Sequence, residues 1–539
     1  MKKIILMFVA LLPVFAFGQL KLSDDFTVST GTPYKVVDAP DKQYFSDGKG
    51  NSISIKTAGI KVIIQRYDAA TMKEINRHEY ADIPADSKVE KIVRIGNHLY
   101  YFYSTPTKKK TTMLNVREIN LTDGTFKAAK LLFESKGEIS QITDPRNPFG
   151  VKGYGGFFGG IKLFDILESG DQSKLLIRYR RKPLERNDAV NYDIIGFYSF
   201  DVELTKLWGG EYKMPHTEKV MNNLSYAIGR DGTGYMMTFI NDIKKFELLI
   251  LDGSPNIKIV GLDIDGALFF QSILMSEDID GNLLCTGYYA NGIEVKVSWQ
   301  GNISYVVNIN GILRFKLNKT GKILEQKRYD FPIELINQFE SQRAKEKNSN
   351  REEDGKAGIN DLRIVEVTQN PTDGSTFILG EQTYYRTESS GSSTRYIYYY
   401  ADMVATKIDK NGKLLWMVKL PKTQLGYKGR GGMGVKYLKG DGYDYLIFVD
   451  TKKNAALAGK DAVPYKYVDG ADAYLYAYKI NDADGKYERV TILNLENVNG
   501  IEAYQFSTSR IFNITSKIFM LEIYMKGKED TMIKMQLKK

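Results

Sequence analysis

The chain has 539 residues, 43% of them apolar and 26% charged, with a formal net charge of +10 and a single cysteine, Cys285. That much apolar material can build a sizeable core, and one thiol excludes an intramolecular disulfide framework, so the fold must rest on packing. Nucleic acid is disfavoured as a partner because the amino terminus reads as an export signal, although the charge by itself would permit it.

That signal comes first in chain order. Residues 1–18 carry Lys2 and Lys3, an apolar run from Ile4 to Phe17, and small residues at Ala16 and Gly18, the pattern of a secretory leader. About fourteen apolar residues are too few to cross a hydrocarbon core of roughly 30 Å, and no later segment reaches the length of a membrane span. Loss of the two leader lysines leaves a mature charge of +8. No cysteine stands at the cleavage point, so the expectation is a mature, non-lipidated protein of the periplasm or cell exterior. A basic exported protein can approach acidic polysaccharide, phospholipid head groups or the cell surface, although solubility alone explains the charge. Residues 19–45 read as a lead-in to a domain covering 46–539.

Beyond residue 45 the dominant signal is alternation. Leu175, Ile177 and Tyr179 oppose Arg178 and Arg180; Leu414, Trp416 and Val418 repeat the period, as do Tyr445, Ile447 and Val449. Period two with 36 tyrosines and many β-branched residues predicts half-buried strands. Two kinds of turn punctuate them. One carries Asp-Gly, as at Asp231-Gly232, Asp280-Gly281, Asp373-Gly374 and Asp441-Gly442. The other reads apolar, Asx, a short spacer and Gly, usually then Lys, as in Leu317-Asn318-Lys319-Thr320-Gly321-Lys322 and Ile408-Asp409-Lys410-Asn411-Gly412-Lys413. Glycine supplies positive φ and the Asx side chain closes its own turn, so both predict tight hairpins.

In order, these turns define a repeating unit of four antiparallel strands, placed near 46–84, 88–135, 163–215, 225–274, 276–332, 363–424, 436–495 and 504–538. Residues 136–162 and 196–210 fit it badly, the second lacking the expected glycine. The predicted class is all-β, a β-propeller of seven or eight four-stranded blades with one short helical insertion from Ile333, continuing into a mobile charged excursion near 339–358. The paired turns resemble those of NHL-type and lactonase-type β-propellers. That resemblance implies architecture only, since such rings host enzymes, binders and scaffolds alike.

Strand order assigns both tight turns of each unit to one face of the ring and the long connections, 146–160, 183–192, 333–362, 383–400, 422–435 and 452–471, to the other. A rigid scaffold with elaborated loops on one side is the geometry of a binding surface. Within those loops Tyr384, Tyr385, Arg386, Arg395 and Tyr399 flank a Ser/Gly tip, and Tyr427 and Arg430 lie in a second loop; tyrosine and arginine favour recognition hot spots. Tyr396, Tyr398 and Tyr400 share one side of a strand, so part of this group belongs to the core. Gly429 to Gly434 reads G-x-G-x-x-G, but a strand-like stretch follows where a dinucleotide fold needs a helix.

No catalytic signature stands out. His78, His98 and His216 lie in different units, there is no G-x-S-x-G elbow, and Cys285 alternates with Leu283 on a buried strand. Asp280-Gly281-Asn282 and Asp482-Ala483-Asp484-Gly485 hold only fragments of a calcium loop, so no metal or other cofactor is predicted. An outer-membrane barrel is disfavoured by three tryptophans and charges on both strand faces. The expected function is non-catalytic binding of an envelope protein or glycan on the loop face; the alternative is a carbohydrate- or lactone-active enzyme with axial carboxylates.

Overall fold

A computed structural model describes residues 22–538 apart from 143–161, 186, 265–268, 298–302, 391–392, 428–430, 456, 458–462, 471–472 and 526. The leader read at 1–18 and most of the loop 146–160 lie outside the described residues. Among the described residues alternation becomes strand pairing, and nine sheets form, eight of them around a core of four antiparallel strands and the ninth three-stranded. The eight blades span 41–80, 88–134, 139–217, 221–262, 269–330, 362–420, 435–494 and 511–537, the last completed by Phe26–Thr30, which pairs with Glu529–Leu537.

Eight apolar clusters lie between successive blades, and together they close a circle. Ile53 and Ile55 of blade 1 pack with Ile92 and Tyr101 of blade 2, and equivalent layers join each pair up to blades 7 and 8. The final layer sets Tyr44, Tyr67 and Met72 of blade 1 against Phe512, Met520 and Met532 of blade 8. Each blade buries both faces, which is why the central strands are apolar on both sides despite their alternation. The ring leaves only inner and outer strands as edges.

The blade boundaries depart from the sequence reading in three places. Phe269–Glu277, assigned in part to the fourth unit, is the first strand of blade 5. The segment expected as a lead-in supplies Phe26–Thr30 to blade 8 and Asp41–Ser46 to blade 1. Within blade 5, Ile293–Val297 and Ile303–Ile309 form a separate hairpin that pairs onward with Ile359–Asn360 and was not anticipated as an insertion.

Residues 196–210 fit the repeat after all. They form an ordinary antiparallel pair whose turn has Leu204 at φ 58°, where the equivalent turns have Gly321 at 88° and Gly412 at 72°. Asp201 Oδ1 accepts from the Glu203 and Thr205 amides, and the Leu204 side chain is buried in the layer between blades 2 and 3. Burial offsets the left-handed strain of about 1–2 kcal/mol. We therefore expect Leu204→Gly to destabilise by about 1–3 kcal/mol in denaturant titration, as the lost packing outweighs the relieved strain; a stabilised variant would refute this account.

The turns at Gly48, Gly232, Gly281, Gly374 and Gly442 between first and second strands and at Gly124, Gly321, Gly412 and Gly485 between third and fourth emerge at one end of the ring, whereas the two-residue turn Gly59-Ile60 between the second and third strands of blade 1 stands at the other. The long connections emerge at the other. The charged insertion carries two helices in place of a mobile excursion: α1 (Ile333–Asn337) and α2 (Gln342–Glu352). The Ser341 hydroxyl caps α2 by accepting from the Ala344 amide, and buried Asn348 donates to Asn337 Oδ1, fastening α2 to the end of α1.

Candidate functional site

The largest excursion on the loop face is the hairpin Thr376–Ser390 with Ser393–Ile408 of blade 6. Its inner neighbour Leu362–Gln369 pairs only as far as Gln382, so the hairpin continues past the blade as a ribbon, flanked along Tyr398–Tyr400 by the short strand Gln424–Gly426. On one face Tyr384 and Tyr399, directly opposite in register, stack with centroids 4.8 Å apart and planes 10° from parallel. The Arg386 guanidinium lies 5.5 Å and 5.4 Å from these two rings. Nearer the tip, Arg395 donates to Glu388 at 2.8 Å and sits 4.3 Å over the Tyr427 ring, which tethers the ribbon to the next loop.

The opposite face divides by depth. Tyr398 and Tyr400 are buried with Met433, whereas Tyr385 and Tyr396 are exposed and meet edge to face at 5.7 Å. Part of the group is core, as expected: Tyr398 and Tyr400 are, and Tyr396 is not. Six of the seven expected binding residues come together along this ribbon and its neighbouring loop; Arg430 lies outside the described residues.

Below the ribbon is a buried polar base. Lys422 Nζ donates to Glu381 Oε1 at 2.6 Å, Gln424 Oε1 at 2.9 Å and the Tyr400 carbonyl at 3.2 Å, using all three ammonium protons. Lys419 Nζ donates to the Gln338 carbonyl at 2.8 Å and Glu340 at 3.1 Å, so it ties the helical insertion to the outer strand of blade 6. Asp402, 3.6 Å from Lys419, accepts from the Lys422 amide; burial pushes its carboxyl up to about 6 against the pull of Lys419.

Between α2 and the ribbon lies a cavity of about 630 Å³. Its walls include Lys347 and Arg351 of α2, Arg363 at the loop-face end of the innermost strand of blade 6, and Tyr384, Tyr385 and Arg386 of the ribbon. Sequence reasoning named the last three and missed the rest. A cue was available in the basic residues of the charged insertion, but only the folded chain brings α2 against the ribbon. At the cavity's margin Gly358 passes so close to Ile309 that a Cβ would lie 2.5 Å from its carbonyl oxygen.

The other motifs settle into structural roles. The Gly431-Gly432-Met433-Gly434 loop leads into the strand Val435–Lys439; the Gly432 amide donates to Asp469 and the Gly434 amide to Gln424, so the glycines serve close backbone packing. His78, His98 and His216 bond separately to the Asp123 carbonyl, to Glu118 and Glu203, and to Glu247. Cys285 is fully buried, which pushes its thiol far up. Asp278 closes the Asp280-Gly281-Asn282 turn and pairs with Lys316, while Asp482 is held by Lys407 and Lys439. Among the described residues no group of three or more His, Cys, Asp or Glu side chains could hold a metal ion, and no helix is long and apolar enough to cross a membrane.

The closed circle of blades defines the class: an eight-bladed β-propeller with a blunt end and an elaborated end. The sequence matches no protein-family model and no curated protein. Among solved structures it is similar to the WD40 domain of SCAP from fission yeast, at 7% identity over 96% of this chain and 99% of that one, with a TM-score of 0.38. It is also similar to the polysaccharide lyase Uly1 (8% identity, 94% and 91% covered, TM-score 0.37) and the Dos1 propeller (8%, 84% and 78%, 0.34). These likenesses are too distant to carry an argument about function, and the architecture stands on the strand pairing itself.

Proposed function

We propose that this propeller is a non-catalytic binding or scaffold protein of the bacterial envelope that recognises a protein or glycan through its loop face. The observation that carries the reading is the distribution of exposed aromatic surface. Tyr192, Tyr385, Tyr396, Tyr427, Tyr465 and Tyr504 are the exposed tyrosines among the described residues, and all six belong to loop-face connections or the strand ends next to them. Tyrosines that fill a blade have no reason to segregate by end, whereas a recognition surface gathers amphipathic rings on the face that meets its partner. The leader-like residues 1–18 support the envelope location.

The test compares capture of envelope protein and glycan by the immobilised wild-type chain and by a Tyr385→Ala/Tyr396→Ala/Tyr427→Ala variant. Loss of three exposed rings leaves folding intact and should weaken capture at least thirtyfold, equivalent to about 2 kcal/mol. A blunt-end control, Lys49→Ala, should capture normally. Equal capture by the triple variant and wild type would reject the loop face, and turnover of a carbohydrate or lactone by the wild type would replace binding with catalysis.

A further inference from the structure

We propose that the cavity between α2 and the blade 6 ribbon is a subsite for the carboxylate of an acidic sugar, with Arg363 as the anion-binding residue and the Tyr384 ring as a wall for the sugar. The inference rests on the loop-face reading and names its ligand class.

Charge is the first argument. Lys347, Arg351, Arg363 and Arg386 line the cavity against two carboxylates, Glu340 and Asp361, and Glu340 already accepts from Lys419. The excess is cationic, and at this spacing the field inside a concave wall favours an anion. Arg363 supplies the second argument. Its Nε is buried and has no hydrogen-bond partner. Leaving a charged donor desolvated and unpaired is costly, and a planar guanidinium is shaped to take a carboxylate through two parallel N–H groups. Burial lowers the Arg363 pKa, and the neighbouring Asp361 offsets that only in part. A carboxylate in the cavity would pair with this guanidinium and add to the counter-charge of Asp361.

Shape selects the sugar. A volume of about 630 Å³ falls in the range of small-molecule sites and accommodates one or two sugar rings. Tyrosine rings present electron-rich faces to the weakly positive C–H groups of a pyranose. A phosphate or sulfate ion alone would use the arginines and leave the aromatic wall idle.

Isothermal titration of the full chain with tetragalacturonate, its neutral carboxyl-reduced counterpart, sodium sulfate and tetra-aspartate tests this. We expect tetragalacturonate to bind, the neutral sugar to bind at least tenfold more weakly, and Arg363→Gln to lose at least tenfold toward tetragalacturonate while Arg363→Lys loses less. Lys347→Ala/Arg351→Ala, on the outer helix where folding is not at risk, should also weaken the acidic sugar at least threefold. Equal binding of the neutral sugar, equal binding of tetra-aspartate, or heat from sulfate matching that from the sugar would each overturn the assignment. So would an absence of tetragalacturonate binding. If that absence accompanies partner capture that the triple tyrosine variant abolishes, the subsite fails and the loop-face reading stands; if the triple variant captures normally, both fail.

Discussion

Replacing Lys56 with methionine should destabilise the ring by about 3–5 kcal/mol, the cost of stranding a buried charge. Lys56 and Glu522 are both fully buried at the junction of the first and last blades and bond to each other at 2.5 Å, while Lys42 bridges Glu522 and Asp530 at 3.2 Å and 3.1 Å. The Tyr34 and Tyr44 hydroxyls each donate to Glu522 at 2.6 Å. Two ammonium groups balance two carboxylates, so removing one leaves an uncompensated negative charge where blade 1 meets blade 8. Glu522→Gln introduced with Lys56→Met leaves Lys42 facing Asp530, a balanced pair, and glutamine still accepts from the tyrosines. The double variant should therefore recover most of the loss, and a double-mutant cycle in denaturant titration should show strong coupling; additive losses would show that the pair does not act as a unit.

The same junction sets an acid limit. Burial opposes ionisation of Glu522, but Lys56, Lys42 and the hydrogen bonds outweigh it and hold the carboxyl at about 2, below its ordinary 4.5. A depressed carboxylate contributes stability that is complete above its ordinary value and is lost as pH falls from 4.5 toward 2. Asp530 is shifted upward, by burial and by the charge of Glu522, so it takes the first proton as Glu522 stays ionised. Unfolding midpoints should thus decline between pH 4.5 and 2 in the wild type and flatten in Glu522→Gln. An unchanged slope would remove this junction from the acid response.

Lys422→Met is the second large expectation, again about 3–5 kcal/mol, because it leaves Glu381 buried without its cation and frees the Gln424 and Tyr400 acceptors. The consequence differs from that at the ring junction. Lys422 sits at the base of the ribbon, so the lesion should loosen the Tyr384 and Tyr399 stack and the cavity wall more than the distant blades. Hydrogen exchange should show loss of protection concentrated in 383–400 and 422–426, with blades 1 to 4 unaffected under native conditions. Uniform loss over the ring would show that the base supports global stability alone.

The tight turns account for most of what was legible beforehand. An Asx side chain that accepts from amides two and four residues on, followed by a residue at positive φ, is encoded within five positions, so Asn318 to Lys322 and Asp409 to Lys413 announced their hairpins directly. Leu204 escaped because its turn is stabilised by a side chain buried between blades, which local pattern does not record. The hairpin Ile293–Ile309 escaped for the opposite reason, since its alternation is indistinguishable from that of a blade strand.

The binding residues divide in the same way. Tyr384, Arg386 and Tyr399 were visible as residue types on a hairpin whose face followed from strand order, because order and turn length fix which end of a blade a connection leaves. Arg363, Lys347 and Arg351 were not, because their convergence depends on how the helical insertion folds back over blade 6. By itself the sequence determined the strand period, the four-stranded unit and the end of the ring from which the long loops rise, all consequences of interactions spanning a few residues. The tertiary structure alone decided the eighth blade and the cavity. Pairing Phe26–Thr30 with Glu529–Leu537 and setting α2 beside the ribbon both require the ring to close, and closure is a property of all eight interblade layers together.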